Sequence, residues 1–265
     1  MISIRSPGRE GEHSNVKIKA LALVLTAALL LCGCGQKSET AAAAPAQAVT
    51  APAAQSSTAR PVSTGVAPEQ FGAKGDGIAD DLQALQAAMQ QASASGRPLE
   101  LTAGAVYRFS SCLGLPSGLT IRGNGAVLLS DIQYPDLRED RVAVELMKDS
   151  DDDRAHDVRL ENVTFRAADS CQANYMLRVM LARNVEFVGC TFDCEPNEWG
   201  RCAADLYGGN ENIRFEGCVF RQMTSGASGG IWVRNWTDRV ESRNIRFQNC
   251  EFYKSGADEL LAVWV

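Results

Sequence analysis

The sequence predicts an all-β fold, a parallel β-helix (a solenoid of about five coils), with one α-helix capping its amino-terminal end. Two observations carry this. Four segments starting at Asp157, Asn184, Asn212 and Asn244 share one apolar pattern. The offsets between their second residues, Val158, Val185, Ile213 and Ile245, are 27, 28 and 32 residues, which is solenoid spacing. A third apolar stretch follows each segment, at Tyr175 to Val179, Asp205 to Tyr207, Ile231 to Val233 and Leu260 to Val265, so every repeat offers three short strands to a stack. Composition fits: 265 residues with 22% charged side chains suit one ordinary domain plus extensions. Residues 61 to 265 hold 20 basic and 29 acidic groups, a net of −9, which leaves no nucleic-acid footprint. Only two histidines, His13 and His156, are present, too few for a histidine-pair mechanism or a histidine-rich zinc site.

Residues 1 to 34 read as an export signal. Lys17 and Lys19 precede an uncharged run from Ala20 to Leu31, which as a helix rises only about 18 Å against a bilayer core of about 30 Å. A basic start, a short apolar centre and small residues at the cut are the marks of a cleaved signal. Leu31-Cys32-Gly33-Cys34 resembles the lipobox of bacterial lipoproteins. That resemblance implies cleavage and lipidation at Cys34, and lipid chains would hold the protein on the outer side of a bacterial membrane. An ordinary signal peptide is the competing reading. Glu10-Gly11-Glu12 is encoded by purine-rich codons just upstream of Val16, so translation is expected to start at Val16.

Residues 35 to 65 read as a disordered tether. Thr40 to Arg60 contains ten alanines, Pro45 and Pro52, and no aromatic, leucine or isoleucine. Such a stretch cannot bury enough surface to offset its ordering entropy, and the prolines interrupt an alanine helix.

The β-helix domain is expected over residues 66 to 265. The run Phe71-Gly72-Ala73-Lys74-Gly75-Asp76-Gly77 leads through Asp80 and Asp81 into Leu82, Leu85, Met89 and Ala92, whose spacing makes one apolar helix face. Either aspartate can cap the first turn. The glycine spacing matches neither a P-loop nor a dinucleotide fingerprint.

This run, with Gly104-Ala105-Val106-Tyr107 and Gly123-Asn124-Gly125 after it, resembles the amino-terminal segment of the pectate-lyase-like superfamily. That group includes polygalacturonases, rhamnogalacturonases and phage tailspikes. The resemblance implies a right-handed β-helix whose first segment caps the coils, and it implies action on an extracellular glycan by lyase or glycoside hydrolase chemistry. Leu82 stands where the family has threonine, and the turn before Tyr107 lacks the family's proline.

Stacked repeats turn sequence positions into columns. Val163, Cys190, Cys218 and Cys250 make one inward column, and Phe165, Phe192, Phe220 and Phe252 make another. Asp157, Asn184, Asn212 and Asn244 make a turn column able to bond from coil to coil. Thiols along one line cannot surround a zinc tetrahedrally, so the cysteines read as small buried hydrophobes. Cys194 and Cys202 flank a loop and can pair after export. Arg159, Glu186, Arg214 and Arg246 form an outward column with Glu161, Val188, Glu216 and Gln248 beside it, so opposite charges meet on neighbouring coils.

The third stretches and their loops concentrate carboxylates among aromatics, which suits sugar recognition. Asp205, Asp258 and Glu259 are the candidate catalytic carboxylates, and Trp199, Tyr207, Arg234 and Trp236 the candidate substrate contacts. Trp232 and Trp264 can instead be core. Elimination of a uronate would need a Ca2+-binding carboxylate cluster and a base, for which Asp193, Glu195, Asp205 and Arg234 are candidates. Neither set carries the polygalacturonase motifs, so a non-catalytic glycan-binding or structural surface β-helix is the alternative. The apolar strand from Leu260 to Val265 ends the chain, and a bare last coil calls for further coils or for a subunit covering the open carboxyl end.

Overall fold

The computed structural model describes residues 65–133, 142–146, 154–194, 201–223, 230–234, 241–254 and 263–264. They build three parallel sheets. The first holds Leu99–Glu100, Thr120–Arg122, Ala155–Glu161, Ala182–Val188, Glu211–Glu216 and Arg243–Gln248. The second holds Asp76–Asp80, Val106–Phe109, Val127–Ser130, Thr164–Ala167, Thr191–Asp193, Val219–Met223 and Glu251–Lys254. The third holds Leu113–Leu115, Val142–Leu146, Tyr175–Met180, Cys202–Tyr207, Ile231–Arg234 and Val263–Trp264. The chain visits first, second and third sheet in turn and pairs each strand with its counterpart one coil away, which is a parallel β-helix with five coil-to-coil steps across its six-stranded sheets.

The register confirms the columns. Phe165, Phe192, Phe220 and Phe252 are in line, as are Leu160, Phe187, Phe215 and Phe247. Rings one coil apart stack, with centroids 4.8 Å apart for Phe165 and Phe192 and 4.7 Å for Phe187 and Phe215. The two columns meet edge to face, as between Phe187 and Phe192 at 6.1 Å. Such pairs add roughly 1 kcal/mol each beyond burial. Cys190 and Cys218 are buried in the column beside them. Cys194 and Cys202, which could pair after export, are both buried and are not joined in a disulfide, and burial raises the Cys194 thiol pKa.

Two left-handed positions per coil shape the turns. Asn162, Gly189, Gly217 and Asn249 have φ of 51°, 61°, 59° and 52°, which is why glycine or asparagine interrupts the apolar alternation between first and second strands. Asp157, Asn184, Asn212 and Asn244 have φ of 54° to 58°. Their side chains bond in series: Asn184 donates to Asp157 at 2.9 Å, Asn212 to Asn184 at 3.1 Å and Asn244 to Asn212 at 2.6 Å. This ladder lies at the surface. Gly123 answers a different need, since a Cβ there would come within 2.4 Å of the Asn162 carbonyl on the next coil.

The helix spans Leu82–Ser95 and buries Leu85, Met89 and Ala92 at the amino-terminal end of the stack. Its start differs from expectation in one respect. Asp81 occupies the cap position without a side-chain cap bond; its buried carboxylate instead accepts the N–H groups of Lys74 at 2.7 Å and Gly75 at 3.0 Å. Asp80 takes over at the helix start and accepts from Leu82 N–H at 3.2 Å. Asp81 therefore ties the glycine-rich run to the helix. No helix among the described residues is long and apolar enough to cross a membrane, and the expected signal, with Cys34 and Val16, lies outside them.

Candidate functional site

Alternation along the third sheet decides which side chains face outward. Leu177, Ala204 and Ile231 share one register, and Val179, Leu206 and Val233 another; these pack in or against the core. With a side-chain period of two, the positions between and after them face away from it: Arg178, Asp205 and Trp232 in one row, Met180, Tyr207 and Arg234 in the next. Trp232 is thus on the outer face and not in the core.

Asp205 is nevertheless fully covered. From the following coil, Arg234 reaches back and grips both of its oxygens, Nε to Oδ1 at 2.8 Å and Nη2 to Oδ2 at 2.8 Å. From the preceding coil, Arg178 Nε donates to Oδ2 at 3.3 Å. The bidentate fork is the strong geometry for this pair, and the Asp205 hydrogen bond raises the pKa of Arg234, keeping it charged. Aromatic rings complete the shell. The Arg234 guanidinium carbon lies 4.7 Å from the centres of the Tyr207 and Trp232 rings and 5.6 Å from that of Tyr175, while Arg178 sits 4.7 Å over Tyr175. These are cation–π distances. Tyr175 and Trp232 meet edge to face at 6.2 Å, and the buried Trp232 Nε1 has no acceptor among the described residues.

The result is a patch of tyrosine, tryptophan and guanidinium on the outside of the coils, with the carboxylate beneath. Donors from two arginines occupy Asp205, and no substrate atom reaches it without displacing them. Its chemistry here is to hold Arg234 in place. Arg234 is about one-third exposed and is the group that can meet a ligand.

Of the residues expected at the site, the structure brings together Asp205, Tyr207 and Arg234. Asp193 stands apart on the second sheet, in register with Arg166 and Arg221 and bonded to Arg166 at 3.3 Å. Glu195, Trp199, Trp236, Asp258 and Glu259 lie outside the described residues. Tyr175 and Arg178 were not singled out from the sequence, although Arg178 precedes Asp205 by the same 27 residues that separate the first two repeats. Calcium fits poorly: it wants several converging oxygens, whereas Asp193 and Asp205 each face arginines. No group of three acidic, histidine or cysteine side chains able to hold a metal occurs among the described residues.

A parallel β-helix bearing an outward aromatic and arginine patch is the class that fold and site define. Residues 66–253 match the family model described as "Rhamnogalacturonase A/epimerase, pectate lyase-like", and the chain belongs to this family of polysaccharide-related β-helix proteins. A search of curated proteins gives no match. Among solved structures, the chain is similar to PfbA, a surface adhesin of Streptococcus pneumoniae, at 20% identity and TM-score 0.60, covering 76% of this chain and 52% of that one. It is also similar to ORF18 of Geobacillus virus E2, at 18% identity and TM-score 0.56, covering 72% of this chain and 38% of that one. At these identities the likeness is one of fold. The chain spans between about a third and a half of the length of these two proteins.

Proposed function

We propose that this protein is an exported, lipid-anchored β-helix that engages an extracellular polysaccharide on the outer face of the third sheet. One observation carries the reading: Arg234, fixed by Asp205, sits against the rings of Tyr207 and Trp232 on a surface facing away from the core. Aromatic faces cover the apolar side of a pyranose, and a guanidinium donates to its hydroxyls or to a carboxylate. The signal-like residues 1 to 34 with Cys34, and the alanine-rich tether after them, support attachment to the outer side of a membrane.

Binding is the activity this geometry serves best, because Asp205 is engaged by two arginines and is a positioning residue for Arg234. Lyase or hydrolase chemistry is the second reading. Family membership favours it, and Asp258 and Glu259 would have to supply the acid and base. Titration of the full chain with pectic and neutral polysaccharides, with and without calcium, tests the first reading. Assays for new reducing ends and for unsaturated products test the second. Saturable binding without product is expected; turnover that survives replacement of Asp258 and Glu259 would exclude the catalytic assignment.

A further inference from the structure

The outer row of the third sheet reaches further toward the amino-terminal end than the patch itself. Gly114, Glu145, Arg178 and Asp205 are in register from coil to coil. Val144 and Leu146, on either side of Glu145, are buried, so with a side-chain period of two the Glu145 carboxylate leaves on the outer face, where the residue is half-buried. Residues in register on neighbouring strands stand about 4.8 Å apart. Arg178 therefore has a carboxylate on each flank: Asp205, which accepts its Nε–H at 3.3 Å, and Glu145 one coil before. A guanidinium carries five N–H donors, and a buried one such as Arg178 is costly unless several of them are answered. Cys112, just before the strand Leu113–Leu115, senses the same two charges. Burial foremost raises its thiol pKa to about 12, with Glu145 adding to the rise and Arg178 opposing it.

We infer that Glu145 is a positioning residue of the third-sheet patch: it holds Arg178 from the coil before, as Asp205 holds it from the coil after. Carboxylate and guanidinium then alternate along the row, and the arginines they fix enclose Tyr175. Arg178 sits 4.7 Å over that ring, and Arg234 Nη2 lies 3.4 Å from its hydroxyl oxygen. With Glu145 uncharged, Arg178 is drawn to Asp205 alone, and the ring it covers moves with it. Glu145 acts at a remove, since Tyr207 and Trp232 lie on later coils. The inference rests on the reading that this patch binds polysaccharide, and it adds a residue that the carboxylate and aromatic pattern of the sequence does not single out.

Two measurements on the full chain test it. The first is the rate of Cys112 alkylation by iodoacetamide at mildly alkaline pH, read by peptide mass mapping. Glu145→Gln removes the charge that raises the thiol pKa and speeds alkylation, whereas Arg178→Gln removes the opposing charge and slows it. General loosening would speed both, and it would also open the buried Cys190 and Cys218, whose alkylation in the same map monitors the fold. The second is titration with polygalacturonate, with dextran as the neutral probe. Glu145→Gln is expected to weaken binding about fivefold, and Glu145→Asp, which keeps the charge, to recover most of it. Unchanged affinity of Glu145→Gln in a folded chain that binds either probe would overturn the positioning role, and so would Cys112 rates that move the same way, or not at all, in the two variants. Binding of neither probe by the unaltered chain would overturn the binding reading and this role with it, opposite shifts at Cys112 then leaving only a structural ion pair.

Discussion

Two carboxylates on different faces of this solenoid are each held by arginines from the coils before and after. Glu186, on the first sheet, stands between Arg159 one coil before and Arg214 one coil after. Asp205, on the third, is in register with Arg178 one coil before and Trp232 one coil after, and Arg234, two residues beyond Trp232, reaches back to it. Glu186 keeps 35% of its side chain exposed, while Asp205 keeps none. The difference comes from the neighbours. Around Glu186 the columns are polar and open to water, so solvent screens the ion pairs and each contributes little. Around Asp205 the rings of Tyr175, Tyr207 and Trp232 bring in the two guanidiniums and exclude water, so the cluster behaves as a buried network, strong while complete and costly to break. One repeat pattern therefore yields a solvated charge ladder on one face and a fixed recognition patch on another.

The comparison can be broken most forcefully at Asp205. Asp205→Ala leaves the buried Arg178 and the partly exposed Arg234 without their shared carboxylate, and a loss of about 3 kcal/mol in urea unfolding is expected. Glu186→Gln, on the other face, is expected to cost under about 1 kcal/mol. If the two losses came out equal, burial would not be the distinguishing factor. Between them falls Asn212→Ala, expected to cost about 1–2 kcal/mol because alanine resists the left-handed backbone at φ 58°, with Asn212→Gly recovering most of it. The smallest effect is one of pH. Hydrogen bonds from Asn184 and then His156 hold the Asp157 carboxyl below its ordinary value. Its contribution is therefore present above the unfolded carboxylate pKa and is lost as pH falls through the lower folded value. Asp157→Asn should flatten the acid limb of the stability–pH curve slightly and leave neutral pH nearly unchanged.

Much of the fold could be read from the chain because a solenoid writes its geometry as spacing. The 27- and 28-residue offsets align Phe165 with Phe192 and Phe220, and asparagine with asparagine, before any coordinate is known. Depth was not legible. Alternation assigns Asp205 to the outer face, but its complete cover depends on Arg234 reaching back along the sheet and on Tyr175 lying beside both arginines. Side-chain reach of that kind leaves no periodic trace. The same holds for Asp81, whose place before Leu82 suits a helix cap while its carboxylate turns to the backbone of Lys74 and Gly75. Arg178 carries a usable signal, since it shares the 27-residue repeat offset with Asp205.

Polysaccharide titration of Arg234→Gln beside the unaltered full chain tests the central claim most directly, with circular dichroism confirming that the β-helix remains folded. If the third-sheet patch is the recognition face, affinity for the bound polysaccharide falls at least about tenfold, the equivalent of 1.4 kcal/mol, while the spectrum is unchanged. Unchanged affinity in a folded variant would contradict the account and move recognition to another face of the molecule.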